Sequence, residues 1–324
     1  ILSQVQILEE LASGDLATVQ GFPGAGEAGA FIREAGDHPA FASFKKACQT
    51  GNVPTIAFCH RNQPKLTITH HEESYIIDGE TVPLRMGQYA EYVLLHGKEQ
   101  SGEDIILWLH NGPDASFKAV EGDYRLGLLS AGFACLSFRH ASVSKESVIA
   151  SGRDATKLAA QAMSRIRVME AAKEVGLITG ALDYTVEYTA SRKAFGSEIA
   201  KFQGVSFNVA QMAIHVKGAR HLVLYAAKQI DEGTSEAIFH STQALQNAHR
   251  AVRFVTDSAV QLLGGHGYVQ DHPVEKWMRD GQAQVAWLEQ ERDLNTYAGE
   301  WILDKAERGE AGDLVRTVST SSPS

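Results

Sequence analysis

The chain has 324 residues and a mass of 35.2 kDa, a length that predicts about two domains. Its 44% hydrophobic and 21% charged residues are typical of globular proteins and argue against a disordered chain. The net charge of −9 argues against a protein that coats nucleic acid or anionic lipid, and no apolar run reaches the roughly 18–20 residues of a membrane span.

The first 55 residues carry the spacing of short helices. Ile7, Leu8 and Leu11 fall on one face of a helix, and Gly14 suits its C-terminal cap. Residues 30–48 predict one or two further short helices. We therefore expect an N-terminal helical region over residues 1–55. Because the chain begins with Ile1, we also expect this region to be incomplete and the natural N-terminus to lie upstream.

Residues 56–146 predict a middle β-domain. Short runs rich in β-branched and aromatic residues alternate with turn signals such as Asp78-Gly79, Asn111-Gly112 and Glu121-Gly122. The predicted strands are residues 65–69, 74–77, 92–96, 105–110 and 133–139. Since no long helices separate these strands, we expect antiparallel pairing in a small sandwich or barrel.

The rest of the chain predicts a helical bundle over residues 147–310 and a flexible tail over residues 311–324. Apolar residues recur every three or four positions in three long stretches, and one of these is predicted to end near Phe195-Gly196. Short connections between long amphipathic helices indicate an antiparallel four-helix bundle. The predicted class is therefore α+β: a short N-terminal helical region, a middle antiparallel β-domain and a C-terminal four-helix bundle.

Two motifs that resemble ligand sites are better explained as loops. Residues 24–29 match GxGxxG, but a mixed segment precedes them and no acidic residue follows about 20 positions later, as a dinucleotide site requires. Residues 70–73 read His-His-Glu-Glu, but no HExxH or ExxH pair lies on a helix. The sequence therefore predicts no metal site.

Two segments of the helical region carry a more specific signal. Residues 188–203 place Arg192 near the end of a helix, where its planar guanidinium suits a phosphate or pyrophosphate. Residues 261–268 read QLLGGHGY, in which paired glycines permit close approach of a ligand and Gln261 can both donate and accept hydrogen bonds. For the glycines alone, a helix C-cap is an equally good explanation.

Taken together, the pattern YTxSRxxFGxxIxxFQ followed about 58 residues later by QLLGGHGYxxDxPVExWMRD resembles the C-terminal bundle of the acyl-CoA dehydrogenases. The resemblance is strong over residues 150–305 and weak in the β region and near the N-terminus. It implies a flavoprotein oxidoreductase of fatty acid metabolism, with FAD at a subunit interface, an acyl-CoA substrate and an electron-transfer acceptor protein. It also implies a homo- or hetero-oligomer, as a dimer or a dimer of dimers.

The resemblance assigns the adenosine half of the FAD site to the two segments. By position, Arg192 and Gln203 match the residues that hold the diphosphate and adenosine. The segment that cradles the adenine end corresponds to Gln261, Leu262, Leu263, Gly264 and Gly265. In the family these contacts reach the flavin of a neighbouring subunit.

The resemblance also assigns residues to the substrate side of the site. Arg167 matches an arginine beneath the acyl-CoA site, and we take it as a substrate-binding residue. The family base lies nine residues after the Arg of an Arg-Asp pair. That count from Arg279 reaches Leu288, one position before Glu289. We take Glu289 as the candidate base, with an exposed helix carboxylate as its simplest alternative. A second base position used in the family aligns with Ile166, and Glu170 is the nearest carboxylate there.

The flavin-ring side departs from the family pattern. Residues 59–65 replace the family's Thr-Glu-Pro loop, and residues 83–86 read Pro-Leu-Arg-Met where the family has a hydroxyl and an amide near the ring. Three hypotheses follow: an FAD-dependent acyl-CoA dehydrogenase, a non-catalytic partner subunit of a mixed assembly, and a binding or scaffold module. The widely spaced cysteines Cys48, Cys59 and Cys135 fit a reducing compartment, which we expect to be the cytoplasm or the mitochondrial matrix.

Overall fold

A computed structural model describes residues 1–61, 63, 65–112, 117–120 and 125–308. Three helices open the chain, two four-stranded sheets follow, and five helices and a small hairpin complete it, which confirms the predicted α+β class. The helices are α1 (Leu2–Gln20), α2 (Ala28–Ala35), α3 (Ala42–Gln49), α4 (Gly152–Ser191), α5 (Gln203–Asp231), α6 (Ala237–Leu263), α7 (Val274–Trp287) and α8 (Glu291–Glu307). The predicted tail at residues 311–324 and the Glu121-Gly122 turn lie outside the described residues.

Helix α1 is longer than predicted but breaks where the sequence places its end. Asp15 has extended dihedral angles (φ −160°, ψ 107°), one residue after the predicted cap Gly14. The Asp15 carboxylate accepts a hydrogen bond of 2.7 Å from the backbone N–H of Thr18 and so caps the second half of the helix. Because this half begins with its own cap, the helix continues to Gln20. The GxGxxG motif at residues 24–29 therefore follows a helix and not a strand.

Helix α1 lies directly on the long helix α4, and two glycines of α4 allow this contact. A Cβ added to Gly176 would lie 2.2 Å from the carbonyl oxygen of Glu9, and one added to Gly180 would lie 2.7 Å from that of Ser13. Such distances are far below van der Waals contact, so only glycine fits at these points. The N-terminal helix is thereby part of the core of the C-terminal helical region.

The β region forms two sheets that pack on each other. The strands are β1 (Ile56–Cys59), β2 (Leu66–His71), β3 (Ser74–Glu80), β4 (Tyr92–Lys98), β5 (Asp104–His110), β6 (Phe117–Val120), β7 (Cys135–Ser144) and β8 (Val148–Ser151). The strand orders are β1-β4-β5-β8 and β2-β3-β7-β6. Ile68 and Ile77 of one sheet share a core with Leu95 and Leu107 of the other, as in a sandwich.

The prediction of purely antiparallel pairing was wrong at one strand. β1 pairs with β4 in parallel, with Ile56 opposite Tyr92. The chain between them passes through β2 and β3 of the second sheet, and this detour serves as the crossover that parallel strands need. The short strands β1, β6 and β8 were not predicted, because four residues are too few to show an alternating pattern.

Helix α4 ends earlier than predicted. The helix stops at Ser191, and residues 193–198 form a small hairpin of β9 (Lys193–Ala194) and β10 (Ser197–Glu198). Phe195 and Gly196 form its turn with positive φ angles of 53° and 81°. A third core lies between the β1-β4-β5 sheet and helices α2 to α4, where Phe31, Ile106 and Met163 meet. One edge of this core opens into the cavities described next.

Candidate active site

Glu289 lies in the short connection between α7 and α8, and it is buried rather than exposed. Only 8% of the residue is accessible. The alternative of an exposed helix carboxylate was therefore wrong, because α7 ends at Trp287 and Glu289 in the following turn bonds to Arg167 of α4. A search by helical spacing alone could not detect this, since it assumes an unbroken helix.

The Glu289 carboxylate is held by Arg167 of α4. The Nε and Nη2 atoms of Arg167 each donate a hydrogen bond of 2.8 Å, one to each carboxylate oxygen. Burial opposes the charge of Glu289, but the guanidinium outweighs it and holds the carboxyl pKa below its ordinary value. The ring of Tyr297 stands 5.0 Å from the guanidinium carbon. The two residues predicted as base and substrate contact are thus bonded to each other.

The main chain of Glu289 is held by His249 of α6. The imidazole Nε2 lies 3.0 Å from the Glu289 carbonyl oxygen, and Nδ1 lies 2.9 Å from a carboxylate oxygen of Glu174 on α4. Burial alone would lower the pKa of His249, but the neighbouring Glu174 carboxylate raises it above its ordinary value. Sequence analysis missed this pair, although an acid and an imidazole within apolar helix stripes are its visible signal.

A second group of buried polar residues surrounds Glu170. Its carboxylate accepts hydrogen bonds from Lys173 (2.6 Å), Gln20 (2.7 Å) and Gln284 (2.9 Å). Although burial opposes its charge, these donors hold the pKa of Glu170 below its ordinary value. Fully bonded in this way, Glu170 is occupied as a structural group. The alternative base position Ile166 is buried in the core between sheet and helices.

Two cavities meet beside Glu289, between the β region and the helices. One has a volume of about 610 Å³ and is lined by Phe58, Leu84, Trp287 and Leu288, among others. The other has a volume of about 280 Å³, and Arg167, Glu289 and Tyr297 are in its wall. His60 and Asp293 line both. Glu289 is therefore in the wall of a space that a ligand can enter.

Residues 83–86 lie where the resemblance places the flavin ring, and only some of them face the larger cavity. Pro83 and Leu84 line it. Arg85 is directed away, since its guanidinium donates to both oxygens of Glu27 at 2.9 and 3.0 Å and to the carbonyl oxygen of Gln20 at 2.7 Å. Met86 is buried. This segment offers apolar contact to a ring but no side-chain hydroxyl or amide.

The candidate adenosine residues lie at the far end of the bundle and are mostly exposed. Arg192 directly follows α4, Gln203 begins α5, and Gln261 lies in the last turn of α6. The hydroxyl of Tyr188 lies 2.8 Å from Nδ1 of His266, so the ends of α4 and α6 are neighbours. No hydrogen-bond or ion-pair partner of the Arg192 guanidinium is found within the described part of the chain.

The paired glycines leave open space at this end. Gly264 ends α6 with a φ of +58°, and a Cβ added to Gly264 or Gly265 would meet nothing within 4 Å. The C-cap explanation therefore holds for Gly264, and the backbone is also accessible to a ligand. Leu262 is half-buried and Leu263 is buried in the core, so they support the segment from inside. These residues fit one half of a dinucleotide by chemistry and access.

Comparison with known proteins identifies relatives of this chain. Residues 156–287 match the family model for the acyl-CoA dehydrogenase C-terminal domain. Cyclohex-1-ene-1-carbonyl-CoA dehydrogenase of Geobacter metallireducens is 31% identical over 215 residues, which are 65% of this chain and 56% of that protein. An acyl-CoA dehydrogenase of Bacillus subtilis is 29% identical over 211 residues, 64% of this chain and 55% of that protein. The chain thus spans about half the length of these curated relatives.

Solved structures share the fold over most of the chain. Butyryl-CoA dehydrogenase from Megasphaera elsdenii has a TM-score of 0.76 at 22% identity, covering 92% of this chain and 81% of that one. Acyl-CoA dehydrogenase from Geobacillus kaustophilus has a TM-score of 0.81 at 19% identity, covering 92% of this chain and 82% of that one.

None of the helices in the described residues combines the length and the apolar composition that a membrane span needs. The same residues contain no group of three or more His, Cys, Asp or Glu side chains that could hold a metal ion.

Proposed function

Since the chain belongs to the acyl-CoA dehydrogenase family, we propose that it carries out FAD-dependent α,β-dehydrogenation of an acyl-CoA thioester. Glu289 is the carboxylate that accepts the α-proton. The observation that carries this proposal is the placement of Glu289: a buried carboxylate in the wall of a cavity, held at its side chain and at its main chain.

Arg167 sets the charge state of this base. A carboxylate paired with a buried guanidinium stays ionised at neutral pH, which a base requires, but the pairing also weakens it as a proton acceptor. We expect a bound thioester to loosen the bidentate pair, so that the pKa of Glu289 rises toward its working range. Arg167 thus acts as a positioning residue, and His249 fixes the backbone from which Glu289 projects.

The chemistry that a bound FAD would supply is the acceptance of the β-hydrogen as hydride. Arg192, Gln203 and Gln261 would hold its diphosphate and adenosine with their free polar groups, while Gly264 and Gly265 leave room for the nucleotide. The larger cavity offers apolar walls to the ring, but residues 83–86 do not supply the side-chain hydrogen bonds expected there. The residues of this chain therefore fit the adenosine half of FAD better than its ring half.

The proposed adenosine site implies a neighbouring subunit. Its residues face outward, and helix α5 beside them exposes Phe207 (62%) and Ile214 (70%) on one stripe. An exposed apolar stripe of this kind is suited to an oligomer contact, by default with twofold symmetry. We propose a dimer or dimer of dimers that passes electrons to an acceptor protein. The wide spacing of the three cysteines in the sequence supports a reducing location such as the cytoplasm or mitochondrial matrix.

A contrast between the two halves of the site favours a second candidate, a non-catalytic partner subunit. Arg85 is bonded away from the larger cavity, and Glu289 is fixed to Arg167, whereas Arg192 and the glycine segment are unobstructed. A chain that serves only a neighbour's flavin would combine these features. A scaffold module without catalysis would lack flavin contact altogether.

The visible spectrum of the purified chain tests these candidates. We expect a yellow protein with flavin absorbance near about 450 nm, whose acceptor-linked turnover with acyl-CoA is abolished by Glu289→Gln. Glu291→Gln is the matched control, since Glu291 pairs with Arg250 and Arg253 on the outside of α8. A colourless, folded chain that binds FAD only with a second chain would contradict the catalytic proposal and support the partner subunit. Failure to bind FAD in either setting would leave only the scaffold.

A further inference from the structure

The smaller cavity beside Glu289 concentrates buried polar atoms that have no hydrogen bond. Among the described residues these include Nδ1 of His60 and both ring nitrogens of His96; Oδ1 of Asp104 also has no hydrogen bond, and its ion-pair partner Nη1 of Arg61 lies 3.5 Å away. His96 is 3% exposed and Asp104 is 7% exposed. Native proteins bond nearly all buried polar atoms, so a cluster of unbonded ones in one cavity calls for an explanation.

These residues are placed by the sheet. His96 on β4 pairs with Ile106 on β5, and its side chain faces the third core, with ring centroids 6.1 Å from Phe31 and 6.2 Å from His60. Asp104 begins β5 and uses its other oxygen to accept a 2.8 Å hydrogen bond from the Thr156 hydroxyl. Apolar side chains at positions 60 and 96 would simply extend the core. The imidazoles instead turn this end of the cavity into a polar surface.

The charges around the cavity disfavour an anionic ligand. Four carboxylates line it, those of Asp104, Glu289, Asp293 and Glu300. The two guanidiniums in its wall are already paired, Arg167 with Glu289 and Arg61 with Asp104 at 3.5 Å, so the acidic groups remain in excess. Burial lowers the pKa of His96 to about 4 and also lowers that of His60. Both rings are therefore neutral near pH 7, and each offers one N–H donor and one nitrogen acceptor. A plain alkyl chain would leave these atoms unbonded.

We infer that this cavity binds an uncharged group that both donates and accepts hydrogen bonds, a hydroxyl or a secondary amide, through His60, His96 and Asp104. The inference rests on the proposed function, under which the group belongs to an acyl-CoA. Two parts of such a ligand carry this chemistry: an oxygenated acyl chain and the pantetheine arm. The site thus selects an oxygen-bearing ligand over a hydrocarbon.

The first test needs no ligand. His96→Leu removes two unbonded nitrogens from the core, so we expect the melting temperature of the full chain to rise by roughly 1–3 °C. His249→Leu is the matched control: that buried imidazole is bonded on both sides, so its loss lowers the melting temperature. A fall for His96→Leu would show that this ring already has partners and would overturn the inference, whatever the protein does with acyl-CoA.

The second test measures binding by calorimetry. The probes are unreactive CoA thioethers with an alkyl chain, the same chain with a hydroxyl, and the same chain with a terminal carboxylate. We expect the wild-type chain to bind the hydroxyl probe about 5- to 10-fold more tightly than the alkyl probe. His96→Leu should remove the difference, and His96→Gln, which keeps a donor and an acceptor, should retain part of it.

The probes also separate the two sources. If His96→Leu weakens the alkyl and hydroxyl probes equally, and free pantetheine competes with them in the wild type only, the bound group is the pantetheine arm. Tightest binding of the carboxylate probe, or no effect of His96→Leu on any probe, would refute the inference while leaving acyl-CoA binding intact. If no CoA probe binds at all, the proposed function fails, and the assignment of this group to an acyl-CoA fails with it.

Discussion

The buried pair of Arg167 and Glu289 provides the sharpest test of the site. Arg167→Met keeps most of the side-chain volume but removes both hydrogen bonds to a carboxylate that is only 8% exposed. Removing one partner of a buried ion pair costs about 3–5 kcal/mol because the other charge is left unpaired. We therefore expect the free energy of unfolding to fall by this amount at pH 8, as measured by urea denaturation.

The loss depends on pH, and its sign follows from the Glu289 pKa. In the wild type that pKa lies below its ordinary value, so the pair stabilises the fold above pH 4.5 and loses this contribution as the pH falls through the folded pKa. In Arg167→Met the guanidinium no longer offsets burial, the largest influence on Glu289, so the pKa rises and the folded state takes up a proton as the pH falls. The variant should thus lose less stability at pH 5 than at pH 8.

Two variants serve as controls for this experiment. Arg167→Met combined with Glu289→Leu removes the unpaired charge and should regain most of the lost stability at pH 8. Arg220→Met breaks a half-exposed pair with Glu9 and should cost less than about 1 kcal/mol. If the double variant is as unstable as the single one, or if the loss is the same at pH 5 and pH 8, the account of Glu289 as a buried, paired carboxylate is refuted.

Three further predictions concern the supports of the site. Gly176→Ala should destabilise the fold by about 1–3 kcal/mol, because its Cβ would meet the Glu9 carbonyl, whereas Gly299→Ala in α8, where an added Cβ meets nothing within 4 Å, should be neutral or stabilising by up to about 1 kcal/mol; thermal unfolding compares them. Glu174→Gln should lower the pKa of His249, read from its imidazole NMR resonances, so that the stability present at low pH is lost at a lower pH than in the wild type; an unchanged pKa would contradict the contact. Arg192→Leu should reduce FAD retention on gel filtration, with Lys193→Leu next to it as the control, and equal retention would argue against Arg192 as a nucleotide ligand.

Much of the fold could be predicted from spacing, because long amphipathic helices report their own period. The apolar stripes of helices α4 to α6 and the two family motifs could be recognised from local sequence patterns alone. The break in α1 at Asp15 was indicated by Gly14, which predicts the end of a helix. The sequence alone could not show that Asp15 would cap a second helical half directly after it. The parallel pairing of β1 with β4 depends on contacts 36 residues apart, which no local pattern encodes.

The polar interior could not be predicted, because its partners are distant in sequence. Glu174 and His249 are separated by 75 positions, and Arg167 and Glu289 by 122. In the sequence each of these residues only interrupts an apolar pattern, and its partner is identified only in the folded structure. Glu289 was predicted as the base by counting from Arg279, although the count ends at Leu288, and the structure places Glu289 in the turn after α7.

The bonded group around Glu170 has a consequence for dissecting this molecule. Gln20 comes from the first helix, Gln284 from the seventh, and Lys173 from the fourth, and Arg85 of the β region reaches the same group through the carbonyl of Gln20. A fragment restricted to residues 152–308 would lack Gln20, which supplies one of the three donors to Glu170 and one of the two hydrogen-bond acceptors of Lys173. The N-terminal helices, the β region and the C-terminal helices differ in sequence pattern, but they should unfold together in a single cooperative transition. Excised pieces should be insoluble or unfolded.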